Sequence, residues 1–254
     1  MGVAKAKDSV KGRNAFALSF FCQKHKKLLT SKRLFTIIRV NDRLLPEDHP
    51  MTDTKEKILM TALHLFARDG YEAVSVSTIA GALGITKGAL YKHYKNKRDI
   101  FDSIVARMYQ IDTQRSQEYE VPKEKHEVEP TAYENISINT IKDFTISQFT
   151  FWIEDDFASD FRKMLTLEQY RNDEMAELYH NCITAGRVAY MEDIFREMIK
   201  KGTLREADPK QLAVEFYAPL YLLVNISDRS NDRETSIALL NHHIDHFMQY
   251  NAAE

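Results

Sequence analysis

Glycine and proline are scarce in this chain, and their scarcity limits the folds that it can adopt. There are 8 glycines and 6 prolines in 254 residues, roughly half of the share that is usual in globular proteins. All-β sandwiches and barrels use these residues at many turns. Because 44% of the residues are hydrophobic, the chain has ample material for a core. The sequence therefore predicts an all-α protein.

The length of the apolar runs and the number of cysteines exclude membrane-spanning and cysteine-rich proteins. No apolar run approaches the length of about 18 residues that a membrane span needs, so no membrane association is expected. The only two cysteines, Cys22 and Cys182, are too few for a disulfide framework or a multi-cysteine zinc site. A cytoplasmic location is therefore expected.

The net charge of −2 conceals an uneven distribution along the chain. Residues 1–50 carry 11 Lys/Arg and 4 Asp/Glu, residues 51–98 carry 8 and 4, and residues 99–254 carry 16 and 29. A basic first part and an acidic remainder suggest that only the first part faces a polyanion.

Residues 1–50 have no clear helical period and form a basic extension. Three interpretations stay open: a disordered basic arm, an upstream extension that the working protein lacks because translation starts at Met51, or a small folded addition. The arm is favoured because the composition of this segment offers little core.

Residues 51–98 have the pattern of three short helices and the start of a fourth. Apolar residues recur at three-to-four spacing from Thr54 to Asp69, which predicts a helix that Asp53 or Thr54 caps and that Gly70 ends. The next three helices are predicted to begin after side chains that suit N-caps, namely Ser75, Thr86 and Asn96.

Two short helices joined by a glycine-containing turn form a helix-turn-helix. The second helix of such a motif enters the major groove of double-stranded DNA with its N-terminal residues at the base edges. Long donors and hydroxyls are expected on its exposed side, namely Thr86, Lys87, Tyr91, Lys92 and His93. A generic three-helix pack with a solvated face is the alternative that the spacing leaves open.

The same segment resembles a known family. Residues 70–80 have the sequence GYEAVSVSTIA, and residues 83–97 have the sequence LGITKGALYKHYKNK. This order is similar to the DNA-binding domain of TetR-type transcriptional regulators. Members of that family are non-enzymatic, all-helical homodimers with a small-molecule pocket in a variable C-terminal domain, and the resemblance implies this architecture for the present chain.

The resemblance also implies roles for individual residues. It places Lys87, Gly88, Tyr91 and His93 at bases or backbone, with Gly88 allowing close approach to the groove. It implies phosphate contacts for further side chains, and the complete predicted DNA-binding set is Ser75, Thr86, Lys87, Gly88, Tyr91, Lys92, His93, Tyr94 and Lys97. Val74 stands where the family usually has threonine, which removes one possible phosphate contact.

Residues 99–254 are predicted to form a helical ligand-binding and dimerisation domain. A fourth helix to about Tyr119 is followed by helices predicted over 136–156, 160–171, 173–201, from 209 onward, and 232–250. Pro209 suits a first helical turn, and Pro219 is expected to kink the helix that contains it.

Aromatic and soft side chains are concentrated between residues 139 and 190, which predicts a pocket for an apolar or aromatic effector. Plain bundle core is the alternative. The residues predicted to contact the effector are Phe144, Gln148, Trp152, Met164, Tyr179 and Cys182.

The last two helices are predicted to form a homodimer interface, which would match a two-fold operator.

His242, His243 and His246 could hold zinc, but polar histidines at the rim of the dimer are the favoured interpretation, so neither a metal nor another cofactor is predicted. No nucleophile and base share a recognisable frame, so no enzyme is predicted. The predicted function is a ligand-responsive repressor of transcription, with a helical protein-interaction adaptor as the alternative.

One prediction concerns residues 1–50. A protein that starts at Met51 is expected to lose affinity for all duplexes similarly, because a segment with 11 Lys/Arg neutralises phosphates without reading bases. Binding measured against salt concentration should then have a shallower slope, since each lost phosphate contact removes about 0.9 from it. A change in operator preference would contradict this prediction, and no change at all would favour Met51 as the natural start.

Overall fold

The described part of the chain is an all-helical bundle. Several of its helices begin after a side chain that caps them or end near a glycine with positive φ. The computed structural model describes residues 53–123, 126, 130–134, 136–230 and 232–253. The predictions for residues 1–50 lie outside this part of the chain. The helices are α1 Asp53–Asp69, α2 Val76–Ala82, α3 Lys87–Tyr91, α4 Lys97–Glu118, α5 Ile138–Glu154, α6 Asp156–Glu168, α7 Asp173–Ile183, α8 Ala185–Lys200, α9 Pro209–Ser227 and α10 Arg233–Asn251, with a short 3-10 turn at Pro130–Tyr133.

The predicted starts of α2, α3 and α4 and the predicted end of α1 are confirmed. Ser75, Thr86 and Asn96 each accept a hydrogen bond from the backbone two or three residues into the following helix, as N-caps do. Gly70 ends α1 with φ +87° and Gly84 lies in the α2–α3 turn with φ +66°, where a residue with a side chain would be strained.

The start of one helix in the C-terminal part differs from the prediction. The predicted helix over 160–171 begins instead at Asp156, because Asp155 ends α5 and accepts a hydrogen bond from the backbone of Ala158 as the N-cap of α6. The predicted helix that contains Pro219 begins at Pro209 as expected, and it continues through Pro219 to Ser227.

The predicted long helix over 173–201 is interrupted at Thr184, whose φ of −122° and ψ of −106° leave the helical region. Gly186 follows the interruption, and a Cβ atom there would lie 2.0 Å from the backbone oxygen of Asn181. The chain therefore turns so tightly between α7 and α8 that residue 186 has no room for a side chain. Hydrophobic periodicity does not reveal this break because the apolar pattern continues across it.

The core is continuous from the helix-turn-helix to the C-terminal helices. Helix α1 packs against α2 and α4 and, most extensively, along α6, while α8 packs along α9. Large side chains such as Phe66, Phe101, Phe161 and Phe195 are fully buried. Within the described part of the chain, none of the helices is long and apolar enough to cross a membrane.

We expect Gly186→Ala to lower the free energy of unfolding by about 1–3 kcal/mol, because the new methyl group would overlap a backbone oxygen that cannot rotate away. Gly81→Ala is the matched control, since a Cβ atom at residue 81 has nothing within 4 Å among the described residues. That variant should be as stable as the natural protein or more stable. Urea denaturation followed by circular dichroism measures both, and equal stability of the two variants would contradict the account of the break.

Candidate nucleic-acid interface and ligand cleft

Local hydrogen bonds hold the helix-turn-helix rigidly. The Ser75 hydroxyl accepts from the backbone N–H of Thr78 at 3.1 Å, and the Thr78 hydroxyl accepts from the backbone N–H of Ser75 at 3.4 Å. At the second helix, the Thr86 hydroxyl accepts from the backbone N–H of Ala89 at 3.2 Å. Both helices therefore begin at fixed points, which sets the direction in which α3 presents its side chains.

The exposed side of α2 and α3 is basic and free of acid. No Asp or Glu occurs between Glu72 and Asp99 in the sequence. Six of the nine predicted DNA-binding residues are exposed, namely Ser75, Thr86, Lys87, Gly88, Tyr91 and Lys92. His93 and Lys97 are half-buried, and Tyr91 keeps 50% of its surface exposed although it is a large aromatic residue. Such a surface suits phosphates and base edges.

Gly88 has no packing role within the described part of the chain. A Cβ atom there would have only the Thr86 hydroxyl nearby, at 3.8 Å, which is an ordinary contact. The glycine therefore leaves the exposed side of α3 flat without serving the fold of the subunit itself. Close approach of an outside molecule is the property that a glycine supplies at such a position.

Lys97 joins the start of α4 to the turn after α1. Its Nζ donates to the backbone oxygen of Tyr71 at 2.9 Å and lies 4.2 Å from the centre of the Tyr71 ring. A second, longer contact reaches the backbone oxygen of Glu72 at 3.5 Å. The same Nζ lies 4.0 Å from a carboxylate oxygen of Glu72, so Lys97 is held against the turn that follows α1.

Tyr94 is placed differently from the expectation of a surface phosphate contact. Its ring is buried in the core, with 2% of its surface exposed, and its hydroxyl donates to the backbone oxygen of Lys55 at 3.4 Å. Burial raises the pKa of this hydroxyl well above its usual range. Tyr94 therefore packs the recognition domain, residues 53–98, from inside.

A cleft opens between helices α5, α6, α7 and α9. Its cavity volume is about 10 Å³, roughly the room that one water molecule needs. Its walls are formed by Trp152, Arg162, Thr166, Tyr179, Ile183, Tyr217, Leu220, Tyr221, Val224 and Asn225.

Two of the six predicted effector contacts, Trp152 and Tyr179, line this cleft. The other four are not among its lining residues. Phe144, Met164 and Cys182 are buried in the hydrophobic core, and Gln148 is buried on α5.

The tyrosine hydroxyls of the cleft are paired in the subunit. The hydroxyls of Tyr179 and Tyr221 lie 2.8 Å apart, and burial, followed by this hydrogen bond, raises the pKa of Tyr179 to about 12. The Tyr217 hydroxyl donates to the backbone oxygen of Ile183 at 2.6 Å. Tyr179 is therefore a neutral hydrogen-bonding group near neutral pH.

The cleft is also lined by three residues that were not among the predicted effector contacts, namely Arg162, Tyr217 and Tyr221. A signal was present for the tyrosines, because their spacing of four residues places them on one side of a helix. For Arg162 there was no comparable signal, since an isolated arginine in an amphipathic helix is usually at the surface.

The outer side of α9 exposes an unpaired apolar stripe. Val214, Leu222 and Ile226 retain 44%, 58% and 48% of their surfaces, and Leu239 of α10 retains 55%. The opposite sides of these two helices lie in the core of the subunit, through Leu212, Phe216, Leu220, Leu223, Leu240, Ile244 and Phe247.

The histidines of α10 are partly engaged within the subunit. His243 Nε2 lies 3.2 Å from the backbone oxygen of Phe216, and burial lowers the pKa of this histidine. His246 stacks on Tyr250, with the ring centres 6.4 Å apart.

Comparison with known proteins identifies the recognition domain. The sequence model of the family described as bacterial regulatory proteins, tetR family, matches residues 58–104. The HTH-type transcriptional regulator AcrR of Shigella flexneri is 44% identical over 52 residues, which cover 20% of this chain and 24% of that protein. The HTH-type transcriptional repressor BepR of Brucella suis is 40% identical over 55 residues, which cover 22% of this chain and 26% of that protein. The similarity thus spans about a quarter of each relative.

Similarity in structure extends much further along the chain. The complex of SmeT with triclosan has a TM-score of 0.54 and 22% sequence identity, and the alignment covers 79% of this chain and 92% of SmeT. SmeT is described as the repressor of a multidrug efflux pump of Stenotrophomonas maltophilia. At this identity the likeness concerns the fold, so the C-terminal helices have the arrangement of that solved structure.

We expect Thr86→Ala to lower the free energy of unfolding by about 1 kcal/mol, because the N-cap of α3 is lost. Thr86→Ser is the matched control, since it keeps the accepting hydroxyl and should cost less than half as much. Urea denaturation checks both variants. Equal losses in the two would show that the methyl group of Thr86, rather than its hydroxyl, supports the helix.

Proposed function

We propose that this chain, whose residues 58–104 match the sequence model of the tetR family of bacterial regulatory proteins, is a ligand-responsive, DNA-binding regulator of transcription and not an enzyme. In this proposal it is a repressor that a small apolar or aromatic effector releases from a palindromic operator. The observation that carries the proposal is the pair of capped helices whose exposed side has no acidic residue between Glu72 and Asp99.

The proposed contact with DNA uses the beginning of α3. Lys87 and Gly88 lie in its first turn and Tyr91 at its end, which is the arrangement of a recognition helix in the major groove. Lys87, Lys92 and Lys97 supply positive charge for the phosphates, so affinity should fall steeply with salt concentration. The flat position at Gly88 allows the helix to approach the groove closely.

The proposed dimer uses the apolar stripe of α9 and α10. Val214, Leu222 and Ile226 follow one another on one side of α9 at spacings of eight and four residues, and a second copy would bury them in a two-fold interface. Two recognition helices related by such an axis read half-sites about 34–36 Å apart. A palindromic operator is the DNA that matches this symmetry.

The proposed effector site is the cleft. Helix α6 supplies part of its wall and also packs along α1 of the recognition domain. A ligand that shifts α6 would therefore shift the helix-turn-helix, and a displacement of a few Å would spoil the match between two recognition helices and their half-sites. We propose repression of transcription, not activation, because BepR and SmeT, which this chain resembles, are both described as repressors.

We expect Lys87→Ala and Tyr91→Ala each to weaken binding to the selected operator by about 1–3 kcal/mol while the dimer stays intact. Operators are obtained by selection from random duplexes, and binding is measured by fluorescence anisotropy. Lys200→Ala and Tyr170→Ala are the matched controls, because these side chains are 70% and 89% exposed and lie outside α3. Unchanged operator affinity in both test variants would contradict the assignment, and failure to select any duplex would favour a protein-interaction adaptor.

We expect Leu222→Glu to produce monomers, because the substitution would place a charge in the middle of the proposed interface. Leu167→Glu is the control, since Leu167 is a similarly exposed leucine at the end of α6. Light scattering gives the mass of each variant. A dimeric Leu222→Glu protein, or a monomeric Leu167→Glu protein, would place the interface elsewhere.

A further inference from the structure

The recognition domain is attached to the rest of the subunit at a second place, besides the contact between α1 and α6. There Arg98, the second residue of α4, meets Glu174 in the first turn of α7. The Nη1 and Nη2 atoms of Arg98 each donate to one carboxylate oxygen of Glu174, both at 2.6 Å. A bidentate pair of this kind fixes the relative orientation of its two side chains as well as their distance. We call this pair the Arg98–Glu174 joint.

Both partners of the joint are themselves held in place. The Nε atom of Arg98 donates to Asp102 at 2.6 Å, and the guanidinium lies 5.2 Å from the centre of the Phe101 ring, which is buried in the core. On the other side, the Asn172 side chain caps α7 by accepting a hydrogen bond at 3.1 Å from a backbone N–H in its first turn. The turn that carries Glu174 is therefore fixed. The joint is a contact between two rigid parts of the subunit.

Helix α7 is bonded in turn to α9, the helix that carries most of the exposed apolar stripe. The hydroxyls of Tyr179 and Tyr221 lie 2.8 Å apart, and the Tyr217 hydroxyl donates to the backbone oxygen of Ile183 at 2.6 Å. Helix α7 has 11 residues and is therefore about 16 Å long. It bridges the distance between the joint and the helix through which the dimer is proposed to form.

A second attachment restricts how the recognition domain can move. A domain that packs along a single helix can still rotate about the axis of that helix. The joint holds α4, a different helix from α1, and so opposes this rotation. In a dimer, the rotation would change the separation of the two α3 helices, which must match half-sites about 34–36 Å apart.

We propose that the Arg98–Glu174 joint sets the separation of the two recognition helices, so that these two residues determine which spacing of operator half-sites the protein accepts. The inference rests on the proposed function, because it needs a dimer that reads two half-sites. Arg98 and Glu174 are positioning residues in this proposal. Their effect on DNA binding runs through α4 and α7, not through a contact with a base.

The test compares the selected operator with the same operator carrying one extra base pair between its half-sites. The insertion separates the half-sites by about 3.4 Å and turns one relative to the other by about a tenth of a helical turn. Each half-site keeps its own bases and phosphates. Binding to the full-length protein is measured by fluorescence anisotropy, and the readout is the ratio of the two affinities, in which non-specific attraction to phosphates cancels. We expect the natural protein to prefer the selected operator.

We expect Glu174→Gln to lower this ratio by about threefold to thirtyfold, because a dimer contains two joints and each is a partly exposed ion pair, with side chains 41% and 25% exposed. The amide places an N–H group against the guanidinium where an acceptor is needed. Asp173→Asn is the matched control. It removes the same charge from the same turn of α7, but Asp173 is exposed and is not among the hydrogen-bond partners of Arg98. Its ratio should equal that of the natural protein.

Arg98→Gln breaks the joint from its other side and changes the net charge in the opposite direction. It should lower the ratio by a similar factor. The double variant of Arg98→Gln with Glu174→Gln should lower the ratio no further, because one interaction can be lost only once. Circular dichroism shows whether each variant is folded. If Arg98→Gln does not fold, the comparison of Glu174→Gln with Asp173→Asn decides alone.

The outcomes separate the joint from the proposed function. Equal binding of both duplexes by the natural protein, or an unchanged ratio in Glu174→Gln, would overturn the joint and leave the selected operator as evidence for DNA binding. An equal fall in Asp173→Asn, or falls that add in the double variant, would also overturn the joint. Failure to select a duplex with two half-sites would overturn the proposed function and the inference with it.

Discussion

The contact between α1 and α6 connects the helix-turn-helix to the rest of the chain. Helix α1 buries one side against α2 and α4 and another along α6, so the recognition domain has no complete core of its own. Polar contacts reinforce the junction, because His64 lies 3.1 Å from a carboxylate oxygen of Asp160 and Arg107 lies 4.8 Å from the centre of the Phe157 ring. Residues of α6 therefore contribute to the position of α3 although they are distant from it in sequence.

The junction also contains a buried carboxylate. Glu168, at the end of α6, is fully buried, and its oxygens have no hydrogen-bond partner among the described residues. A Cβ atom on Gly70 would lie 2.5 Å from one of these oxygens. The left-handed glycine that ends α1 thus also makes room for the end of α6. Glycine at residue 70 therefore serves two purposes: it allows the left-handed turn after α1, and it leaves space for the side chain of Glu168.

The break between α7 and α8 is stabilised by one side chain of α9 and one of α8 itself. Ending α7 frees backbone carbonyls that must be satisfied when buried. The Tyr217 hydroxyl and the Nε–H group of Arg187 donate to the carbonyls of the two residues before Thr184, at 2.6 and 2.9 Å. Arg187 also donates to Asp112 of α4 at 3.0 Å. The wall of the cleft is consequently bonded to the long helix that follows the recognition helix.

Local chemistry made the helix-turn-helix predictable, whereas the cleft depends on contacts that sequence does not display. The helix starts could be predicted at Ser75, Thr86 and Asn96, because each of these side chains accepts a hydrogen bond from a backbone N–H only three residues further along the chain. The break at Thr184 and the burial of Arg162 result from partners 34 and 66 residues away along the chain, and the hydrophobic period continues across both positions.

The same long-range contacts give two positions on α6 different partners. Near its middle, Arg162 is held by Asp228 in the cleft wall, and at its end Glu168 lies against Gly70 of the recognition domain. A rigid helix of 13 residues spans about 20 Å, so a shift imposed at one end is transmitted to the other. Linkage then requires reciprocity: if a ligand in the cleft lowers affinity for DNA by some factor, DNA lowers affinity for that ligand by the same factor.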